Sequence, residues 1–294
     1  MVQLFANALS DAGLYVLLAI GFGLILTGTR IFHIAHGATI TVGGYACYTI
    51  SVSAGLPVYV GAAGSVLAGM LLGLVINRVV YMPLVRGRRG GPASSFVLIV
   101  SSLGAYLVIS HGISLIYGTD TKVLRPGPDW TVRLAGVRVT VIQLCNMLIA
   151  TATLVGLWFV LIRTRLGRLI RALADDPELV AVLGYDVAGL RAVIFGLASG
   201  LAGLAGAFTA LDSGLEPASG FAAVLVAAVC CILGGVGRLL APALGALILG
   251  VLTNLVAWYI GANWQNAAIF LLLMMTLLVR PQGILARRRR LEEQ

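Results

Sequence analysis

Charge is the scarcest property of this sequence. Eleven acidic and twenty basic side chains make up 11% of 294 residues, where a soluble domain carries about 25% charged residues. Water is therefore not the main solvent of the chain. Asp and Glu are nearly missing from the long apolar runs and only three histidines are present. No nucleophile, metal or acid/base constellation stands out, so the chain is not expected to be an enzyme. Nor is there an intramembrane ion relay of the kind a self-sufficient secondary transporter or channel needs, which leaves that class as the alternative. No G-x-x-x-x-G-K-[ST] loop is present, so any nucleotide hydrolysis belongs to a partner. The four cysteines, Cys47, Cys145, Cys230 and Cys231, lie in apolar runs without metal-ligand spacing and read as small packing residues. Ala6-Asn7-Ala8 imitates a signal-peptidase site, but neither a basic region nor an apolar run precedes it, so the first span is expected to be retained.

What is abundant is apolar length. Hydrophobic residues make up 60% of the chain and the mean hydropathy is +1.01. Apolar runs fall at 12–26, 38–54, 58–76, 96–117, 139–162, 192–211, 221–233, 239–260 and 267–279. Since a crossing takes about 20 residues for about 30 Å of hydrocarbon, the expectation is an all-α polytopic membrane protein. Eight or nine transmembrane or re-entrant helices are expected, in one transmembrane domain, 1–294. The short run 221–233 is the one most open to being re-entrant or broken.

The net charge of +9 comes almost entirely from arginine placed between apolar runs, which suits the ends of spans rather than a nucleic-acid surface. Arg78, Arg86, Arg88 and Arg89 form one cluster, and Arg163, Arg165, Arg168, Arg171 and Arg191 a second. Arg280 with Arg287 to Arg290 forms the third. These fourteen basic residues contrast with four, Lys122, Arg125, Arg133 and Arg138, in the other long loop. The asymmetry assigns the clusters and the C-terminus to the cytoplasm and the 118–138 loop to the outside. In that loop Trp130, Val132 and Leu134 alternate, Ala135-Gly136 can turn, and Val137, Val139 and Val141 alternate again, which predicts a small extracellular β-hairpin.

Gly196, Gly200, Gly203 and Gly206 recur at three- and four-residue spacing. Small residues so placed let helix backbones approach where apolar side chains gain little over lipid. His33 and His36 stand at i, i+3, a spacing that can share a helix face and hold a metal, but no third ligand accompanies them. Asp212 and Glu216, flanking Gly214, read as a solvated turn. The longest polar stretch, 163–190, contains Asp176 and Pro177 as N-cap and first-turn residue of a short amphipathic helix to Leu183, ended by Gly184. That helix either docks between two spans or lies on the membrane surface.

Over about 12–283 the chain resembles the permease subunits of bacterial ABC importers of the branched-chain amino acid family. That family includes urea and short-amide systems and is related to ribose-type sugar permeases. Three segments carry the resemblance. Ala35-His36-Gly37 agrees with the family's R-I-I-N-F-A-H-G loop, with His33 in place of Asn and Ala38 in place of the following acidic residue. Thr164, Gly167, Arg171, Ala172, Asp176 and Gly184 match its cytoplasmic coupling loop. Leu233-Gly234-Gly235-Val236-Gly237 with Pro242 and Gly245, then Leu278-Val279-Arg280-Pro281-Gln282-Gly283, match its C-terminal signatures.

The resemblance implies an inner-membrane permease paired with a second permease subunit, a paralogue. Two cytoplasmic ATPase subunits bind ATP, and a periplasmic binding protein delivers a branched-chain amino acid or related solute. No cofactor is implied in this chain. Thr164, Gly167, Arg171, Asp175, Asp176, Pro177, Glu178 and Gly184 would form the ATPase coupling site. His36, Gly37, Thr39 and Thr41 are the expected lining of the solute path.

Overall fold

A computed structural model describes residues 2–86, 93–124, 131–134, 137–235, 240–280 and 283–284. Trp130, the Ala135-Gly136 turn, Arg88, Arg89, Arg125, Val236-Gly237, Pro281-Gln282 and the arginines at 287–290 lie outside the described residues.

The chain is built almost wholly of helices. They are α1 (Val2–Thr29), α2 (His36–Tyr48), α3 (Val58–Ile76), α4 (Met82–Arg86), α5 (Ala93–Tyr117), α6 (Val141–Arg163), α7 (Arg165–Asp175), α8 (Pro177–Val182), α9 (Val187–Asp212), α10 (Ser219–Gly234), α11 (Ala241–Tyr259) and α12 (Gln265–Val279). Single π-helical stretches, Thr49–Ser53 and Asn77–Tyr81, extend α2 and join α3 to α4. Among the described residues seven helices are long and apolar enough to cross a membrane. The eight or nine expected from sequence differ from that number by α2 and α10, of 13 and 16 residues. Both fall short of the roughly 20 residues of a full span, and both are largely buried inside the bundle.

The bundle is organised around α1 and α9. In their apolar windows 72% and 67% of residues are buried, against 22% in α5, 17% in α6 and 6% in α12. The inner helices have therefore solved their packing within the chain, while α5, α6 and α12 present apolar side chains outward, as lipid requires. Local chemistry sets the helix ends. Thr140 and Gln143 make a reciprocal capping box at the start of α6, with 3.2 and 3.1 Å hydrogen bonds. Two strands, β1 (Thr131–Leu134) and β2 (Val137–Thr140), pair antiparallel with Val132 opposite Val139. The Gln3 side chain clamps β2 to α1 by accepting from the Arg138 N–H at 2.9 Å and donating to its carbonyl at 2.8 Å. Val141, expected to continue the strand alternation, instead opens α6.

The glycine stripe of α9 divides into two kinds of position. Gly203 is where three backbones meet: a Cβ there would strike the Ser65 carbonyl of α3, and a Cβ on Gly43 of α2 would strike Gly203 in turn. At Gly200 the nearest atoms to such a Cβ are Val66 Cγ1 at 3.4 Å and the Val66 carbonyl at 3.6 Å, near ordinary contact. Gly203→Ala is therefore expected to destabilise the chain by about 1–3 kcal/mol or more, since backbone cannot yield as a side chain does. Gly200→Ala should be tolerated. Thermal midpoints of the two purified variants check this, and equal midpoints would refute it.

Candidate functional site

The polar stretch between α6 and α9 folds into two short helices at one end of the bundle. It starts at Thr164, whose hydroxyl accepts from the Gly167 N–H at 3.1 Å and donates to the Val160 carbonyl at 2.6 Å. One side chain thus ends α6 and caps α7. Gly167 lies so close to the last turn of α6 that a Cβ would strike the Val160 and Leu161 carbonyls, and the Arg171 guanidinium donates back to the Leu161 carbonyl. A cation on the last carbonyls of a helix also opposes its dipole favourably. Gly167, Ile170 and Leu173 are buried while Arg165, Arg168 and Ala172 are exposed, so α7 lies on the bundle by one narrow face.

At the next junction Asp176 Oδ1 accepts from the N–H groups of Glu178 (2.9 Å) and Leu179 (3.1 Å), and Pro177 takes the first turn, where its missing N–H costs nothing. The helix runs Pro177–Val182, one residue short of the expected end at Leu183. Gly184, at φ +85°, turns the chain back into Asp186, which caps α9 through the Ala188 N–H at 3.0 Å. Thr164, Gly167, Arg171, Asp176 and Gly184 therefore shape the segment. At α8 and its exit it presents four large apolar side chains outward, Leu179 (55% exposed), Val182 (83%), Leu183 (64%) and Tyr185 (51%), bordered by the exposed Asp175, Asp176, Glu178 and Asp186. The four apolar residues were not singled out from sequence. Their exposure shows only in the fold, where Val180 is the buried residue of α8.

Arg30 is a further residue that sequence reasoning missed. It follows the last turn of α1 at φ +56°, among the described residues the one non-glycine in that region, where an L residue is strained by roughly 1–2 kcal/mol. Its guanidinium donates to the Asp175 carbonyl at 3.0 Å and to the Ala174 carbonyl at 3.4 Å, the end of α7. Arg30 thereby ties the α1–α2 junction to the α7–α8 segment. Beside this link lies a cavity of ≈ 710 Å³ between α5, α1 and the segment, whose lining includes Arg30 and Arg191 together with Asp175, Asp176 and Glu178. Both signs of charge thus face one space.

The residues expected to line the solute path, His36, Gly37, Thr39 and Thr41, are all buried. Thr39 donates to the His36 carbonyl at 2.7 Å and Thr41 to the Gly37 carbonyl at 3.1 Å, so both hydroxyls are satisfied within α2. Gly37 packs on Gly220 of α10. His33 Nδ1 lies 2.7 Å from the Tyr81 hydroxyl, and its ring packs against Phe195 and His36 with centroids 5.2 and 5.8 Å away. Neither nitrogen of His36 closes a hydrogen bond of ordinary geometry; the Leu18 carbonyl of α1 is its polar neighbour. Among the described residues no group of three His, Cys, Asp or Glu side chains could hold a metal with them. The two C-terminal signatures, far apart in sequence, do meet: the Ile284 N–H donates to the Leu233 carbonyl at 2.9 Å, and Gly283 abuts Gly235.

Comparison with known proteins agrees with this architecture. The family described as branched-chain amino acid transport system / permease component matches residues 4–279. The high-affinity branched-chain amino acid transport system permease protein BraD of Pseudomonas aeruginosa is 29% identical over 300 residues, covering 97% of this chain and 96% of that one. LivH of Escherichia coli, a permease protein of the same description, is 26% identical over the same shares. The ribose import permease protein RbsC of Escherichia coli is 27% identical over 256 residues, 84% of this chain and 76% of its own. A solved structure, PsaBC from Streptococcus pneumoniae in complex with Fab, superposes with a TM-score of 0.52 at 12% identity, covering 95% of this chain and 93% of that one; the fold is shared.

Proposed function

The chain belongs to the branched-chain amino acid transport permease family, and on that premise we propose that it is the membrane-spanning half of an ATP-driven importer for branched-chain amino acids. In this reading it sits in a bacterial inner membrane beside a second permease subunit. Each permease is gripped by one ATPase, and a periplasmic binding protein supplies the solute. The arginine clusters put α7 and α8 on the cytoplasmic side and the β1–β2 hairpin outside. α2 with its π-helical extension, 18 residues and roughly 27 Å at 1.5 Å per residue, and α10 complete the crossings as buried, protein-lined elements.

The observation that carries the proposal is the α7–α8 segment. It is shaped by Thr164, Gly167 and Arg171, capped by Asp176 and turned back by Gly184. It presents Leu179, Val182, Leu183 and Tyr185 to a partner. An exposed apolar knob on a polar segment fits a protein groove. Arg30 gives movement of that knob a route to the α1–α2 junction and to the ≈ 710 Å³ cavity. The described state buries His36, Gly37, Thr39 and Thr41, so their proposed part in the path requires α2 to shift during the cycle.

Leucine uptake into vesicles holding the assembled transporter tests this. Uptake should require ATP and loaded binding protein, should persist when ion gradients are collapsed, and should fall when His36, Thr39 and Thr41 are replaced together by alanine. Ribose, urea and a short amide are the comparison solutes, and saturable uptake of one of them instead would reassign the cargo. Gradient-driven uptake by this chain alone would overturn the ATP-coupled reading.

A further inference from the structure

Between the α3–α4 junction and the first turns of α9 lies a second cavity, of ≈ 190 Å³. Its wall is mostly apolar, with Met82, Val85, Val187 and Ala188 on it, and two polar side chains join them, Asn77 and Arg191. Tyr81 also lines it, but that hydroxyl is already engaged with His33 at 2.7 Å and the ring packs on Phe195 of α9 with centroids 5.3 Å apart. The space would take about six waters at about 30 Å³ each, yet cavities walled by apolar side chains stay dry and accept hydrocarbon instead.

Arg191 stands on α9 just over one turn in from Val187. Its side chain is half-buried, and its Nε is fully buried with no hydrogen-bond partner. A buried guanidinium N–H without an acceptor is a standing cost, and a negatively charged acceptor relieves it best. Asp175, Asp176 and Glu178 line the larger cavity on which Arg191 also borders, not this one. Arg78, next to Asn77 on the π-helical turn, is exposed and adds positive charge. The elements that wall the cavity also carry exposed apolar residues: Val79 on that turn is 67% exposed and Val193 on α9 39%. Such a surface suits contact with lipid rather than water.

We propose that this cavity holds one anionic phospholipid, with an acyl chain against Met82, Val85, Val187 and Ala188 and the phosphate on Arg191. A guanidinium meets phosphate oxygens through two N–H groups at once, and the Asn77 amide is a donor for an ester carbonyl of the same lipid. Inorganic phosphate would satisfy the cation and leave the apolar wall empty, while an uncharged apolar guest would leave Nε unmet. On the sidedness given by the arginine clusters, Arg191 lies near the cytoplasmic end of its span, where basic pockets between helices take anionic headgroups. The site needs only a chain lying in a bilayer, so it stands apart from the ATP-coupled reading. A lipid seated there braces the α3–α4 junction against α9, just after the chain turns at Gly184.

The test is native mass spectrometry of the delipidated full chain in detergent, titrated with phosphatidylglycerol and with phosphatidylcholine, alongside thermal midpoints. One phosphatidylglycerol per chain should bind saturably and raise the midpoint, and phosphatidylcholine should bind about tenfold or more weaker. Arg191→Gln should weaken phosphatidylglycerol binding about tenfold or more, and Arg191→Lys should weaken it less. Ala188→Phe, which fills the cavity from its apolar wall, should exclude the lipid while the lipid-free midpoint holds, which separates loss of the site from misfolding. Arg168→Gln, at an exposed position of α7, should leave binding unchanged, which sets aside general charge attraction. Displacement of the lipid by inorganic phosphate would make this a free-phosphate site and overturn the proposal. Equal binding of the two lipids, or binding indifferent to both Arg191→Gln and Ala188→Phe, would overturn it as well.

Discussion

Replacing Val182 and Leu183 together by aspartate is expected to reduce ATP-driven uptake to background while the chain remains folded in the membrane. Both side chains stand in solvent, 83% and 64% exposed, so no core contact is lost and two charges there are fully hydrated. In the assembled transporter the same positions would be pressed into an apolar groove of the ATPase. An unpaired charge there meets a desolvation penalty of several kcal/mol, and a loss of about 2 kcal/mol is already roughly thirtyfold in affinity. Co-purification of the ATPase with the double variant measures the effect. Val180→Asp is the contrast, since Val180 is 2% exposed in the core and its replacement should lower the thermal midpoint itself. If the double variant keeps its ATPase and transports normally, α8 is not the docking element.

Arg30 carries the second large expectation. Arg30→Gly removes the guanidinium hydrogen bonds to the Ala174 and Asp175 carbonyls but suits the φ of +56° better than arginine does. The backbone strain and the link to α7 are thereby separated. Stability should hold or rise, ATPase association should persist, and uptake per ATP hydrolysed should fall about tenfold or more, since roughly 1.4 kcal/mol of lost coupling suffices for that. Arg30→Lys should recover part of the coupling, having a single point of donation where the guanidinium spans two carbonyls. Full transport by Arg30→Gly would reduce Arg30 to a helix cap.

Much of the fold could be read from sequence because membrane spans announce themselves by length and apolarity. The limits were harder. α1 starts at Val2, ten residues ahead of its apolar run. Asp11 therefore fell outside the span as read, and its hydrogen bond with Asn254 of α11 went unseen. The hairpin followed from strict alternation at Val132, Leu134, Val137 and Val139, and the start of α8 from the Asp176-Pro177 cap. α7 was hidden by its arginines, although its buried face recurs every three residues at Gly167, Ile170 and Leu173.

The segment between α6 and α9 was legible in sequence, but which of its side chains stand exposed was not. Motif residues such as Thr164, Gly167 and Arg171 stand out in sequence because their geometry is demanding, whereas Val182 and Leu183 look like ordinary apolar residues until their exposure is known. Arg30 reaches a carbonyl 145 positions away in the chain, a tertiary contact no local pattern encodes. Thr39 and Thr41 carry a related lesson. A hydroxyl inside a span can bond to its own helix, so polarity there does not by itself mark a watered path.

The most direct test of the central claim, that α8 is the element the ATPase holds, is site-specific photo-cross-linking in the assembled, ATP-hydrolysing transporter. A photoreactive side chain at position 183 should yield an adduct with the ATPase subunit. The same group in place of Leu115, 88% exposed on α5, should not. No ATPase adduct at 183, or adducts of equal yield from both positions, would contradict the account.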